Sequence, residues 1–284
     1  MDERCIGIVG AGIMGSGVAQ VAAQAGYQVI LTDMSATQLE KAVAGIAAGL
    51  ASRVQRARMT EAERAAALER IQTGSALSDL ADLPLIVEAV YEDFDVKAGV
   101  FRTLDQLVSP ETVLASNTST LPVTELAAVT SRPQRVVGMH FFNPVPAMRL
   151  VEVIRGLATD DHAVALVTRV AEDLGKTPVV IKDSPGFVSS RLLAPMINEA
   201  AFALMEGIAS REDIDTILKL GANHPMGPLE LADLIGLDIC LHQMETLYQS
   251  FGDPKYRPCP LLRQLVAAGY LGRKTGRGFY EYAQ

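Results

Sequence analysis

Hydrophobic positions fall into two rhythms over the first part of the chain. Short continuous apolar runs stand at 6–9 (IGIV), 28–31, 85–89 (LIVEA), 112–116 (TVLAS), 135–139 (RVVGM), 148–154 (MRLVEVI) and 177–181 (TPVVI). Such runs suit strands buried on both faces of a parallel sheet. Between them, apolar residues recur every three or four positions and predict helices. One runs from Met14 through Val18, Val21, Ala22 and Ala25 to a closing Gly26. A second runs from Ser35 to about Leu50, with Leu39, Val43, Ile46 and Leu50 on one face. The capping box Thr60-Glu61-Ala62-Glu63 opens a third, to about Ile71. Two more are expected at 92–107 and 161–174. Strands alternating with helices predict an α/β fold, a doubly wound parallel sheet. The helical pair at about 35–72 interrupts that alternation and is expected to be an insertion.

Near Asp183 the pattern changes. From Gly186 no strand-like run appears until the last residues. Helices are predicted at 189–206, from the capping sequence Ser210-Arg211-Glu212-Asp213 to Leu220, and, as one or two pieces, at 229–251. Two domains follow, 1–183 and an all-helical 184–284. The second is rich in Leu, Met, Ile and Ala, as a domain burying surface in a partner subunit would be.

The first strand–helix–strand segment carries Gly10, Gly12 and Gly15, spaced G-x-G-x-x-G, and Asp33 stands 18 residues after Gly15 at the end of the second strand. Glycine-rich turns are common, but strand, helix and acid together are the context that a dinucleotide requires. In such a Rossmann-type unit Gly10 permits the tight turn, Gly12 lets the backbone approach a pyrophosphate, and Gly15 lets helix and strand pack closely. Ile13 and Met14 open the helix whose N-terminal N–H groups would face the phosphates. Asp33 would hold both ribose hydroxyls and repel a 2′-phosphate. No Arg or Lys lies between Asp33 and Glu40, so NAD is expected over NADP.

Composition narrows the function classes. A net charge of −8 argues against nucleic acid as a partner. No apolar run approaches the ~18 residues of a membrane span. Three cysteines, Cys5, Cys240 and Cys259, stand at no metal-ligand spacing, so no metal site is expected and a reducing, cytoplasmic setting is. The first residues enter a strand almost at once, so no secretory leader is expected.

Three strand ends carry polar groups beyond what packing needs. Ser116-Asn117-Thr118-Ser119-Thr120 is either an ordinary polar loop or a hydroxyl and amide cluster at the ligand edge of the sheet. His140, in GMHFFNPVP, is either a satisfied core histidine or a proton-transfer group, whose ordinary pKa suits neutral pH. Glu152, inside LVEVI, either faces water from an edge strand or partners His140 from the next strand. Together they fit hydride transfer from a secondary alcohol. His140 would take the hydroxyl proton, Ser119 would bond the same oxygen, and Glu152 would orient the histidine. Arg53, Arg56 and Arg58, in a basic linker after the second helix, read as a solvated face or as a site for an anionic part of the substrate.

The chain resembles the short-chain L-3-hydroxyacyl-CoA dehydrogenases from Ile6 to Tyr282. The motifs that carry this are IGIVGAGIMGSGVAQ, ASNTST, GMHFFNPVP with LVEVIRG, DSPGF, INEA, LGANHPMGPLELADLIGLD and GRKTGRGFYEY. The resemblance implies NAD-linked interconversion of L-3-hydroxyacyl-CoA and 3-ketoacyl-CoA, with 3-hydroxybutyryl-CoA the expected substrate. It implies an N-terminal NAD domain, a helical C-terminal domain that dimerises, and a site built from both. It puts catalysis on His140 and Glu152 and substrate hydrogen bonding on Ser119. It puts cofactor contacts on Glu92, Lys97, Asn117, Ser119, Asn143 and Lys274, and CoA contacts on Arg53, Arg56 and Arg58. One departure stands out. The family usually reads P-G-F-V-x-N-R, with an active-site Asn, where this chain has Pro185-Gly186-Phe187-Val188-Ser189-Ser190-Arg191. Ser190 therefore takes the place of an amide that reaches further. Two other readings stay open, a dehydrogenase of a 3-hydroxy acid without CoA and a non-catalytic NAD-binding protein.

Overall fold

A computed structural model of the protein describes residues 4–282. Its contacts divide the chain at Asp183–Ser184 into two compact units. The first is built on an eight-stranded sheet of order β3-β2-β1-β4-β5-β6-β7-β8. The strands are β1 (Cys5–Val9), β2 (Gln28–Thr32), β3 (Ile71–Gly74), β4 (Leu85–Glu88), β5 (Val113–Ser116), β6 (Val136–Phe141), β7 (Leu150–Arg155) and β8 (Thr177–Lys182). Helices α1 (Ile13–Gln24), α2 (Ala36–Gln55), α3 (Glu61–Glu69), α4 (Phe94–Leu107), α5 (Val123–Ala128) and α6 (Asp161–Asp173) connect them. Ile6, Ile8, Leu31, Ile86, Val87 and Val153 are almost wholly buried, as continuous apolar runs in a covered sheet must be.

Strand order reverses at β1, which lies between β2 and β4. In open α/β sheets that reversal opens a crevice beyond the carboxyl ends of the strands. Gly10, Asp33 and the residues after Glu88 all stand there.

Four expectations need correction. The sheet is not wholly parallel, because β7 runs antiparallel to β6. Only residues 142–149 join the two, too few for a crossover helix, so the chain can only turn back. Ile71 does not close a helix; it opens β3, which pairs parallel with β2. The helical pair is therefore the crossover from β2 to β3 rather than an insertion. Lastly, α2 extends to Gln55, so Arg53 sits in its final turn and Arg56 caps it, leaving little of the supposed basic linker. Ser35 does cap α2, accepting from the Gln38 N–H, and Thr60 with Glu63 forms the capping box of α3.

The second unit holds α7 (Ser189–Met205), α8 (Arg211–Gly221), α9 (Pro228–Ile235), α10 (Leu237–Phe251) and α11 (Pro260–Ala267). Its core includes Ile197, Leu229, Leu237, Cys240 and Leu262. Two buried aspartates explain the sequence LELADLIGLD and the terminal GFYEY. Asp215 accepts from the Leu229 and Glu230 N–H groups and the Tyr280 hydroxyl. Asp233 accepts from the N–H groups of Phe279 and Tyr280 and from the Tyr282 hydroxyl. Burial raises the Asp233 carboxyl against these bonds. Among the described residues no helix is long and apolar enough to cross a membrane, and no metal-ligating cluster occurs.

Candidate functional site

The crevice at the strand reversal is a cleft of about 620 Å³ whose walls include Gly10, Gly12, Ile13, Met14, Asp33 and Tyr91. Gly10 has φ +102°, and a Cβ there would lie 2.6 Å from the Ala89 carbonyl oxygen. Gly15 faces the turn from α1, and a Cβ there would lie 1.8 Å from the Gly10 carbonyl oxygen. The fold itself therefore requires both. Gly12 differs: its backbone is ordinary (φ −71°, ψ −170°), and a Cβ would meet nothing within 4 Å. Packing gives no reason for a glycine at Gly12, whereas a ligand lying against that backbone does. The first turn of α1 has no acidic residue and no side-chain cap, so its N–H groups suit an anion.

Asp33 closes the other side of the cleft. Its Oδ2 accepts from the Ala11 N–H (2.8 Å) and its Oδ1 from the Ser35 N–H (2.9 Å). Gln38 donates to the Ala11 carbonyl (2.9 Å), so turn and helix are fastened together. A carboxylate has about four acceptor positions; two remain for a diol. The arrangement suits a dinucleotide, whose phosphates would lie along Gly12 and the helix start and whose ribose would meet Asp33.

Beneath the cleft lies a buried ionic cluster. Lys97 donates to Glu88 Oε1 (2.6 Å), reaches Glu92 Oε2 (3.2 Å) and the Val90 carbonyl (3.4 Å), and is 1 % exposed. Its three donors are all engaged within the protein. In its ion pair with Glu92, Lys97 is the buried member and Glu92 the partly exposed one. Glu92 Oε1 accepts from the Thr118 hydroxyl (2.5 Å) and from the N–H groups of Ser119 (2.8 Å) and Thr120 (3.3 Å). Burial works to raise the Glu92 carboxyl, but the Lys97 ammonium, the Thr118 hydroxyl and the Ser119 N–H outweigh it and hold it below the usual carboxylate range. Asn117 braces the neighbouring strand, its Oδ1 accepting from the Phe141 N–H (2.9 Å).

His140 and Glu152 are direct cross-strand partners in the antiparallel β6–β7 pair. His140 Nδ1 lies 2.9 Å from Glu152 Oε2, with both side chains buried. Glu152 thus does not face water from an edge. His140 also sits inside β6 rather than at its end, and its ring packs against Phe142. A carboxylate on one imidazole nitrogen fixes the tautomer and the orientation of the ring.

The remaining expected residues are dispersed. Asn143 is exposed on the turn after β6. Arg53, Arg56 and Arg58 surround the end of α2, none of them in an ion pair among the described residues, and Arg53 Nε is buried without a hydrogen bond. Ser190 and Lys274 belong to the second unit. Ser190 is buried on α7, where Gln243 donates to its hydroxyl at 3.4 Å. Lys274 is ion-paired with Asp238 at the start of α10 (2.7 Å), so its charge is already answered within that unit. Glu88, which joins Lys97 in the buried ionic cluster, was not among the expected site residues. Its signal was present: a lone carboxylate in the apolar run LIVEA, with a lysine nine residues on.

Comparison with known proteins finds relatives over the whole chain. Residues 5–184 match the model of the 3-hydroxyacyl-CoA dehydrogenase NAD binding domain, and residues 186–282 match the model of the C-terminal domain of the same family. A probable 3-hydroxybutyryl-CoA dehydrogenase of Bacillus subtilis is 51 % identical over 284 residues, covering 100 % of this chain and 99 % of that one. A 3-hydroxybutyryl-CoA dehydrogenase of Bradyrhizobium diazoefficiens is 50 % identical, covering 98 % and 94 %. The crystal structure of an (S)-3-hydroxybutyryl-CoA dehydrogenase from Ralstonia eutropha superposes with a TM-score of 0.96 at 52 % identity, covering 99 % of each chain.

Proposed function

The chain belongs to the 3-hydroxyacyl-CoA dehydrogenase family, and from that premise we propose that His140 is the acid–base group of its reaction, held by Glu152, with Ser119 meeting the substrate's hydroxyl oxygen. The enzyme is an NAD-dependent oxidoreductase acting on 3-hydroxyacyl-CoA. NAD, when bound, supplies the hydride acceptor. In oxidation His140 takes the proton from the C3 hydroxyl as hydride departs from C3, and Glu152 stabilises the imidazolium that results. In reduction the same nitrogen returns the proton to the forming alkoxide. General acid–base catalysis of this kind supplies roughly 10²–10⁴-fold. The observation that carries the reading is the buried 2.9 Å pair between His140 and Glu152. A buried carboxylate opposite a histidine is costly to keep without a use for the charge.

The substrate we propose is L-3-hydroxybutyryl-CoA, the acyl group in the names of the relatives that match over the whole chain. Arg53, Arg56 and Arg58 offer the CoA phosphates guanidinium groups with no carboxylate partner among the described residues. Ser190, buried on α7, offers a shorter donor than the amide usual in the family. Exposed apolar residues on α7 and α8, among them Leu192, Ile217 and Leu220, support a homodimer through that unit. The cytoplasm is the compartment that fits the cysteine usage.

Two substitutions test the binding side. Replacing Arg53 and Arg56 together by alanine is expected to raise KM for acetoacetyl-CoA about tenfold, the loss of roughly one charge-assisted hydrogen bond. KM for acetoacetyl-N-acetylcysteamine, which lacks the nucleotide, should not move. An equal shift for both thioesters, or none, contradicts CoA recognition by these arginines. Asp33→Ala is expected to weaken NADH about tenfold and to leave NADPH no weaker, because a repelling carboxylate is removed along with two diol acceptors. Titration by NADH fluorescence measures this; unchanged NADH affinity removes Asp33 from the ribose site.

A further inference from the structure

We infer that Glu88 is a positioning residue for the reaction, anchoring Lys97 so that Glu92 holds Ser119 in place for the substrate oxygen. This rests on the reading of Ser119 given above. Glu88 is the last residue of β4 and 1 % exposed, and its register neighbours are Val9 on β1 and Ser116 on β5. It therefore stands under the carboxyl ends of three central strands. Both oxygens are fully engaged. Oε1 accepts from Lys97 (2.6 Å) and the Val90 N–H (2.7 Å), and Oε2 accepts from the Ser116 hydroxyl (2.7 Å). Ser116 in turn accepts from the Thr118 N–H (3.2 Å), and the Glu88 carbonyl accepts from the Asn117 N–H (2.8 Å).

From Glu88 the chain of contacts runs through Lys97 to Glu92 and ends on the backbone N–H of Ser119. Lys97 sits closer to Glu88 than to Glu92, 2.6 against 3.2 Å. Removing the Glu88 charge lets the ammonium turn wholly to Glu92, which would draw that carboxylate away from the Ser119 and Thr118 donors. The loop that carries Ser119 then loses its fixed point. A fold-only role explains the cluster poorly. The rest of β4 is apolar, a buried ion pair is weak evidence for stability, and an apolar side chain would pack in such a strand as well.

The test is a double-mutant cycle of Glu88→Gln with Ser119→Ala, reading kcat and KM for acetoacetyl-CoA, and NADH affinity by fluorescence. Glu88→Gln is expected to lower kcat on the order of 10- to 100-fold, the weight of a small misplacement of a reacting partner. NADH affinity should stay within about threefold. In the Ser119→Ala background the same substitution should cost no more than about twofold further, since the two act through one contact. Losses that multiply in the double variant, or NADH binding that falls as far as kcat, overturn the assignment while leaving the Ser119 reading intact. Full turnover by Ser119→Ala alone overturns the Ser119 reading, and the Glu88 proposal with it. Should Glu88→Gln not fold, Ser116→Ala, which removes only the Oε2 donor and the Thr118 acceptor, enters the same cycle with the same outcomes.

Discussion

Replacing His140 by alanine is expected to cut turnover by roughly 10²–10⁴-fold while leaving NADH binding nearly unchanged. The turnover loss follows from chemistry: the substitution removes the imidazole that Glu152 holds, the group proposed to exchange the proton. The retained binding follows from geometry, since the walls of the dinucleotide cleft come from the ends of β1, β2 and β4 and from α4, whereas His140 lies on β6. A stability change should accompany the kinetic one. Glu152 is about 3 % exposed, and the substitution takes one charge-assisted hydrogen bond from a buried carboxylate, a penalty of about 1–3 kcal/mol. His140→Ala/Glu152→Gln should recover part of that stability without recovering turnover. Stopped-flow NADH oxidation, NADH fluorescence titration and thermal unfolding separate the three effects. A His140→Ala enzyme that turns over within about tenfold of the parent would remove His140 from the proton-transfer role.

Alanine at Gly12 and alanine at Gly15 should fail in opposite ways. At Gly15 the new Cβ would lie 1.8 Å from the Gly10 carbonyl oxygen and 3.4 Å from Ile8 Cγ2. The nearest clash is with backbone, so helix and turn must separate, at the roughly 1–3 kcal/mol or more of an overpacked contact. NADH binding is lost because the loop itself is displaced. At Gly12 the Cβ would meet nothing within 4 Å in an unstrained backbone, so stability should change by no more than about 0.5 kcal/mol. The methyl group instead occupies the space that a pyrophosphate needs, and NADH affinity should fall at least about tenfold, the equivalent of 1.4 kcal/mol. Gly12→Ala that is stable and binds NADH as the parent does would show that the phosphates lie elsewhere.

The sheet, the division of secondary structure near Asp183 and the phosphate turn were legible in the chain because each rests on a short, local pattern. Continuous apolar runs marked seven strands. The eighth, β3, went unread because an edge strand of four residues with a single large apolar side chain, Ile71, has no run to show. The direction of β7 was legible in principle, in the missing helix between Phe141 and Leu150, but strand–helix alternation elsewhere suggested a parallel partner. Helix α11 escaped because Pro260, at its first position, reads as a breaker until the position is known to be N1. The pairing of His140 with Glu152 could be anticipated from two polar residues on successive strands, whereas the register that puts them opposite depended on the turn between. Lys97 stands nine residues after Glu88, but the full set of Glu88 partners could not be read from local pattern. They come from β5, from α4 and from the turn after β4, and no local periodicity links them. The cofactor contact expected of Lys97 came from the family resemblance, whereas its burial and its three internal acceptors have no signature in the chain.

The measurement that tests the central claim most directly is NADH oxidation followed at 340 nm with acetoacetyl-CoA, run beside NADPH and beside free acetoacetate. Rapid turnover with NADH and the CoA ester, slow turnover with NADPH and none with the free acid are the predicted results. They would show together that Asp33 selects the cofactor, that CoA is part of the recognised substrate and that Ser190 suffices where an amide is usual. Bound NADH with no turnover of acetoacetyl-CoA, or equal turnover of free acetoacetate, would contradict the account.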